Sequence, residues 1–415
     1  MITDESLNVS AEKTVHAAET VMLAEHEEYF DRERWHDVET ESPSAEYVRK
    51  SNNQRYFSTL SAALLLLTTV LAGGGGVFTA YYLHSMSRFR LPLPQNAAYR
   101  DTLVHWTGYY EDGVLFFDVQ EPTCFFTTHD NRFYIGEGHP VSLLEFSPRG
   151  ELLRTIPLES KPAAVVFGSP GQLFEGKIVV SHLNSITVYS PDGKLELSWD
   201  MPNEKSAVFG LALSADSLYA ADSGTKLVER FDGNGQLIQT IGEPTEGNKE
   251  KPADAAAFDG FAVYKAPMTL AVSPKTGLLH VANPGKHKIE VFTPDGHWEQ
   301  ALSWGYASSD PIGFSGCCNP TAVMILDDGR IVTAEKSVIR VKIYRTNRRL
   351  DCFVAGPETL DRKPLNVPQL SSFRLMAAHN DRCLSLGVVG GKEIVVFDPI
   401  LRVVRFFQPQ QREQQ

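Results

Sequence analysis

The chain has 415 residues, with 51 Asp and Glu against 39 Lys and Arg and a formal net charge of −12. That balance excludes a protein built mainly to grip nucleic-acid phosphates, which is work for clustered Lys and Arg. A hydrophobic content of 42% excludes wholesale disorder, and an odd count of five Cys excludes a scaffold with every thiol paired inside a monomer.

Residues 1–56 form a polar tail with 13 Asp or Glu and 6 Lys or Arg, so the acidity is concentrated there. The tail reads as a solvated, partly helical segment or as a docking peptide for a basic partner. Residues 57–86 follow, opening with Phe57 to Leu83, 27 residues without a charge. A bilayer core needs roughly 20 apolar residues in a helix. Arg49, Lys50 and Arg55 precede the run, Arg88 and Arg90 follow it, and Tyr56, Tyr81 and Tyr82 stand at its edges as interfacial aromatics do. The expectation is one uncleaved transmembrane helix rather than a buried core helix. It places the tail in the cytoplasm and the rest of the chain outside it. Thr68, Ala72, Gly76 and Ala80 share one face, a small-residue stripe that is either incidental or suited to helix pairing.

Residues 87–120 read as a connector with Pro92 and Pro94, then an extra hairpin around Glu111-Asp112-Gly113 that caps the following domain or helps to close it. From about 121 to 410, short β-rich runs alternate with Gly, Asp, Asn and Pro turns, the texture of an all-β protein. One phrase recurs, an apolar run ending in an aromatic and then a turn. Phe146-Ser-Pro-Arg-Gly150, Tyr189-Ser-Pro-Asp-Gly193, Phe231-Asp-Gly-Asn-Gly235 and Phe292-Thr-Pro-Asp-Gly296 carry it, then Tyr344 and Phe397. The intervals of 43, 42, 61, 52 and 53 residues fit four-stranded propeller blades of about 42 residues with loop insertions. Nine residues before the aromatic lie Glu137, Asp222, Asn283 and Glu335. His182 is the nearest polar residue in the second unit, and Val388 takes the place in the sixth.

Over roughly 120–408 the chain resembles the NHL-repeat family of six-bladed β-propellers. The closest segments are Leu218-Tyr-Ala-Ala-Asp-Ser-Gly-Thr-Lys-Leu-Val-Glu-Arg-Phe231 and Leu279-His-Val-Ala-Asn-Pro-Gly-Lys-His-Lys-Ile-Glu-Val-Phe292. The resemblance implies an all-β, six-bladed NHL-like β-propeller behind the acidic tail and the membrane helix. A meander would put the tight turns on one end. Glu137, Asp222, Asn283, Glu335 and the long insertions would lie on the other, where binding on a rigid scaffold usually occurs.

Two readings of the four polar residues stand. They form a ring of oxygen ligands, which a hard cation such as Ca²⁺ would take, or they tie loops to backbone N–H groups. Gly316-Cys317-Cys318-Asn319-Pro320 leads into the fifth unit. Adjacent Cys do not match structural zinc spacing, which leaves a vicinal disulfide, a redox pair, metal ligation with distant Cys, or two small residues in a tight turn. No Gly-x-Ser-x-Gly, His-Glu-x-x-His or phosphate-binding glycine loop is present. The leading expectation is therefore a single-pass membrane protein whose propeller binds other proteins of a membrane complex, and not an enzyme or a nucleic-acid binder. A metal-dependent hydrolase resembling the propeller lactonases, with Glu, Asn and Asp around a cation, is the first alternative. A redox-complex subunit using Cys317 and Cys318 is the second.

Overall fold

The computed structural model describes residues 107–244, 258–264, 266–308, 310–336, 338–362 and 382–410. The tail 1–56 and the apolar span 57–86 lie outside the described residues. Among those described, no helix is long and apolar enough to cross a membrane.

Strand β1 (Tyr109–Phe116) precedes five meanders in chain order. The first blade is β2 (Pro122–Thr127), β3 (Phe133–Gly138), β4 (Val141–Phe146) and β5 (Leu152–Pro157). The second is β6 (Ala164–Phe167), β7 (Ile178–Ser181), β8 (Ser185–Tyr189) and β9 (Leu195–Asp200), and the third β10 (Val208–Leu213), β11 (Leu218–Asp222), β12 (Leu227–Phe231) and β13 (Leu237–Ile241). The fourth has three strands, β14 (Leu270–Val272), β15 (Leu279–Asn283) and β16 (Lys288–Phe292). Its outer edge is covered by an irregular segment that bridges Trp298 to Phe292 and Trp304 to Ile289. The fifth is β17 (Ala322–Ile325), β18 (Ile331–Glu335), β19 (Arg340–Tyr344) and β20 (Leu350–Ala355).

The sixth blade is made from both parts of the chain. Strands β21 (Ser385–Val389), β22 (Glu393–Asp398) and β23 (Val403–Pro409) supply its first three positions. Strand β1 supplies the fourth, in the sheet order β1-β23-β22-β21. Antiparallel pairing runs from Tyr109 opposite Pro409 to Phe116 opposite Val403, with a bulge between Glu111 and Gly113. Glu111 also forms an ion pair with Arg405. Strand β1 thus closes the ring, and among the described residues 107–120 it is one strand paired with β23, with no hairpin partner of its own.

That closure shifts the phase of the last repeat. Phe146, Tyr189, Phe231, Phe292 and Tyr344 end the third strands of their blades, as the alignment expects. Phe397 lies near the end of the second strand of the sixth blade, one strand earlier than its counterparts. All six rings are buried.

The core is divided among the six seams between blades. Val179, Ile186 and Val188 of the second blade pack on Val208, Leu218 and Phe231 of the third, and comparable clusters fill the other five seams. Middle strands are therefore covered on both faces, and β11, β15 and β18 are buried at every residue. This explains why they read as continuous apolar runs instead of alternating ones. The turns after third strands use Gly193 at φ +83° and Gly296 at φ +82°, a conformation with little cost only for glycine.

Candidate functional site

The four repeated polar residues end the second strands of their blades and turn inward to the scaffold. Glu137 accepts N–H bonds from Gln120 (2.8 Å) and Glu121 (2.6 Å), just before the first strand of its own blade. Asp222 Oδ1 accepts from Ala207 (2.7 Å), Gly224 (2.8 Å) and Thr225 (3.2 Å). Asn283 Oδ1 accepts from Ala262 N–H at 2.9 Å, and Glu335 Oε2 from Ser315 N–H at 3.0 Å. All four are buried. Each ties the end of a second strand to the segment leading into the same blade, where backbone donors lack a ladder partner. Among the described residues, no three His, Cys, Asp or Glu come together as a metal site would require.

The series has members that the aligned spacing missed. In the sixth blade the position is held by Asp398, at the end of β22, which accepts N–H bonds from Ile400 and Leu401, both at 3.0 Å. Its other oxygen takes Arg382 Nε at 2.8 Å. Val388, the aligned residue, sits on the first strand instead. In the second blade Ser181 accepts Leu183 N–H at 3.2 Å and donates to Val208 O at 2.8 Å, while His182 bonds Ser160 O and Thr187 Oγ1.

A second column, seven residues on and on the neighbouring strand, faces the first. Asn283 Nδ2 reaches Glu290 Oε1 at 3.4 Å, and Trp298 Nε1 donates to Glu290 Oε2 at 3.0 Å. Glu335 holds Arg340 in a two-pronged bond (2.6 and 2.8 Å) and Lys342 at 2.8 Å. Lys342 also donates to Gly313 O at 2.7 Å, and burial pushes its ammonium down to about 8 against the pull of Glu335. Burial alone would raise the Glu335 carboxyl, but Lys342 and then Arg340 hold it below the usual carboxylate range.

The third blade departs from this complementarity by placing Glu229 diagonally beside Asp222. Glu229 is 3% exposed. Its Oε1 accepts from Thr225 Oγ1 at 3.2 Å, while Glu229 Oε2 and Asp222 Oδ2 are both buried without a hydrogen-bond partner. Burial first, and the adjacent Asp222 charge second, push the Glu229 carboxyl up to about 8. A protonated Glu229 avoids placing a second buried negative charge beside Asp222. Glu229 also lines a surface pocket of about 320 Å³ with Asn203, Lys205, Gly224 and Thr225.

The structure brings Glu335 together with the cysteine loop. Ser315 bonds Glu335, and Asn319 is fixed to Lys336 on both sides of its amide, with Lys336 N–H donating to Oδ1 (2.8 Å) and Nδ2 donating to Lys336 O (2.9 Å). Asn319 Nδ2 also donates to Ser315 O at 2.6 Å, so its amide serves as a clamp. Cys317 is exposed and Cys318 buried, with their sulfurs 2.9 Å apart. Glu137, Asp222 and Asn283 are each held inside their own blades.

The chain matches no known family model and no curated protein. Solved structures resembling it include a catalytically inactive virginiamycin B lyase from Staphylococcus aureus with quinupristin, at 13% identity and a TM-score of 0.46, covering 70% of this chain and 80% of that one. A selenomethionine-substituted virginiamycin B lyase from the same organism aligns at 11% identity and 0.47, covering 72% and 99%. A protein of unknown function from Bacteroides thetaiotaomicron aligns at 11% identity and 0.48, covering 74% of each chain.

Proposed function

We propose that this chain is a single-pass membrane protein whose NHL-like propeller binds other proteins and helps to assemble a membrane complex. In this reading residues 57–83 cross the membrane, the acidic tail 1–56 is cytoplasmic, and the propeller is extracytoplasmic. The observation that carries the binding role is the distribution of exposed large apolar residues. Most lie along outer blade edges, on β1, β5, β9 and β13. Tyr264, Tyr306, Ile312 and Val338 do not, and all four sit on loops at the end that carries the insertions. They lie on loops of the fourth and fifth blades, and the exposed Cys317 lies on the loop leading into the fifth. Apolar and aromatic groups on loops of a rigid scaffold suit a protein partner, with a few anchors dominating affinity. Most oxygens of Glu137, Asp222, Asn283 and Glu335, by contrast, accept bonds within their own blades, with Asp222 Oδ2 the buried exception, and this favours binding over metal-assisted hydrolysis.

The test is recovery of partners from native membranes in mild detergent, read by mass spectrometry, for the wild type and for Tyr306→Asp with Ile312→Asp. Loss of co-purifying proteins by about tenfold or more, with unfolding unchanged, is the expected result. An unchanged set of partners refutes the assignment of this face. Deleting residues 57–83 should release the chain from membranes, and a deletion form that still resists alkaline carbonate refutes the anchor.

A further inference from the structure

We propose that Cys317 and Cys318 form a vicinal dithiol–disulfide couple that exchanges electrons with small-molecule disulfides. The two sulfurs are in contact, with one thiol hydrogen-bonded to the other. Their exposures differ in the way that exchange needs. Cys317 faces solvent and can meet a reagent, whereas Cys318 is buried next to it. With Cys317 as the acceptor, the Cys318 S–H stabilises a thiolate on the exposed sulfur, and the thiolate is the nucleophile.

The chain around the pair is fixed on both sides. His287 Nε2 bonds Gly316 O at 2.7 Å, and Ser315 N–H is held by Glu335, itself locked by buried Arg340 and Lys342. On the other side Asn319 is bound three times, to Ser315 and Lys336. Cys318 adopts φ +64°, a left-handed conformation that a non-glycine residue holds only when its surroundings impose it. Loop motion therefore cannot carry the sulfurs apart, and the second step of exchange is intramolecular at high effective concentration. Two of the other described thiols differ in kind. Cys124 and Cys352 are buried on strands inside apolar clusters, and burial pushes the Cys124 thiol up to about 12, which keeps it inert.

The chemistry balances without a cofactor. The Cys317 thiolate attacks one sulfur of a disulfide RSSR, forming a Cys317–S–S–R bond and releasing RS⁻, which takes up a proton. The Cys318 thiolate then attacks the Cys317 sulfur, the new S–S bond forms, and a second RSH leaves. The protein pair is oxidised by two electrons and RSSR is reduced to two RSH through a mixed disulfide.

The experiment uses the reduced full chain in mild detergent, challenged with oxidised glutathione and then digested for mass spectrometry. In the wild type, the peptide spanning residues 316–320 should lose two hydrogens and retain no glutathione, and dithiothreitol should restore it. Cys318→Ser should trap glutathione on Cys317. Cys317→Ser should leave Cys318 at least about tenfold less reactive, because the buried sulfur has lost its exposed relay. Retention of glutathione on wild-type Cys317 overturns the proposal, as does a pair still reduced under conditions in which Cys318→Ser is glutathionylated. Equal reactivity of Cys318 with and without Cys317 overturns the division of roles. Because wild type and Cys318→Ser suffice for a decision, a folding defect in Cys317→Ser leaves the outcome intact.

Discussion

Replacing Glu229 by Gln should change how stability responds to pH. The carboxyl lies against Asp222, with one oxygen of each residue unpartnered, and its folded value is about 8 against an ordinary 4.5. A group whose folded value is raised binds its proton more tightly in the native state. Its stabilisation is fully present below the ordinary value and is lost as pH rises through the folded one. Each pH unit inside that window is worth roughly 1.4 kcal/mol, so between about pH 5 and pH 8 this one residue should withdraw about 3 kcal/mol. Gln cannot ionise, and its amide can donate to Asp222 Oδ2 while its oxygen keeps Thr225 Oγ1. Urea unfolding of wild type and Glu229→Gln at several pH values measures the difference. Other titrating groups cancel in it, including Lys342, whose lowered value affects stability from about pH 8 to its ordinary 10.5. The variant should match the wild type near pH 5 and exceed it by several kcal/mol near pH 8. Parallel curves, or a variant weaker at pH 8, would refute the account of a protonated Glu229.

Glu335→Gln should destabilise strongly, by about 3–5 kcal/mol in chemical denaturation, because Arg340 and Lys342 remain buried without their counter-charge. Deleting residues 109–116 should open the ring at β23, and limited proteolysis should then cut within 385–409 while the first four blades resist.

The repeat was legible because its turns are chemically specific. Pro-Asp-Gly and Asp-Gly-Asn-Gly punctuate the chain at a base spacing of 42 to 43 residues that loop insertions lengthen, and the first five aromatics fall where the alignment puts them. The sixth unit misled because β1 pairs with β23 across almost the whole propeller sequence, and no local pattern records so distant a partner. With the closing strand taken from the start of the domain, Phe397 mimics the motif one strand early and hides Asp398. The polar column was legible by residue type and spacing, but not by role. Glu137 and Asp222 read equally well as cation ligands or as loop ties until the partners of their oxygens are known. Glu229 went unnoticed for a related reason. Its column, Glu229, Glu290 and Lys342, stands in the sequence two residues before each aromatic. That one member meets a like charge is apparent only when Asp222 is seen diagonally beside it.

The latch between β1 and β23 sets an order on synthesis. Strand β1 is among the first segments of the propeller to be made, yet its partner is complete only at Pro409. Until then an early strand waits with an open edge, and the five intervening blades can stack but cannot lock. Nascent chains stalled before the last strand would present two unpaired edges, one on each side of the gap, and such edges invite pairing with other chains. Shielding the edge of β1 during translation would therefore guard against such pairing.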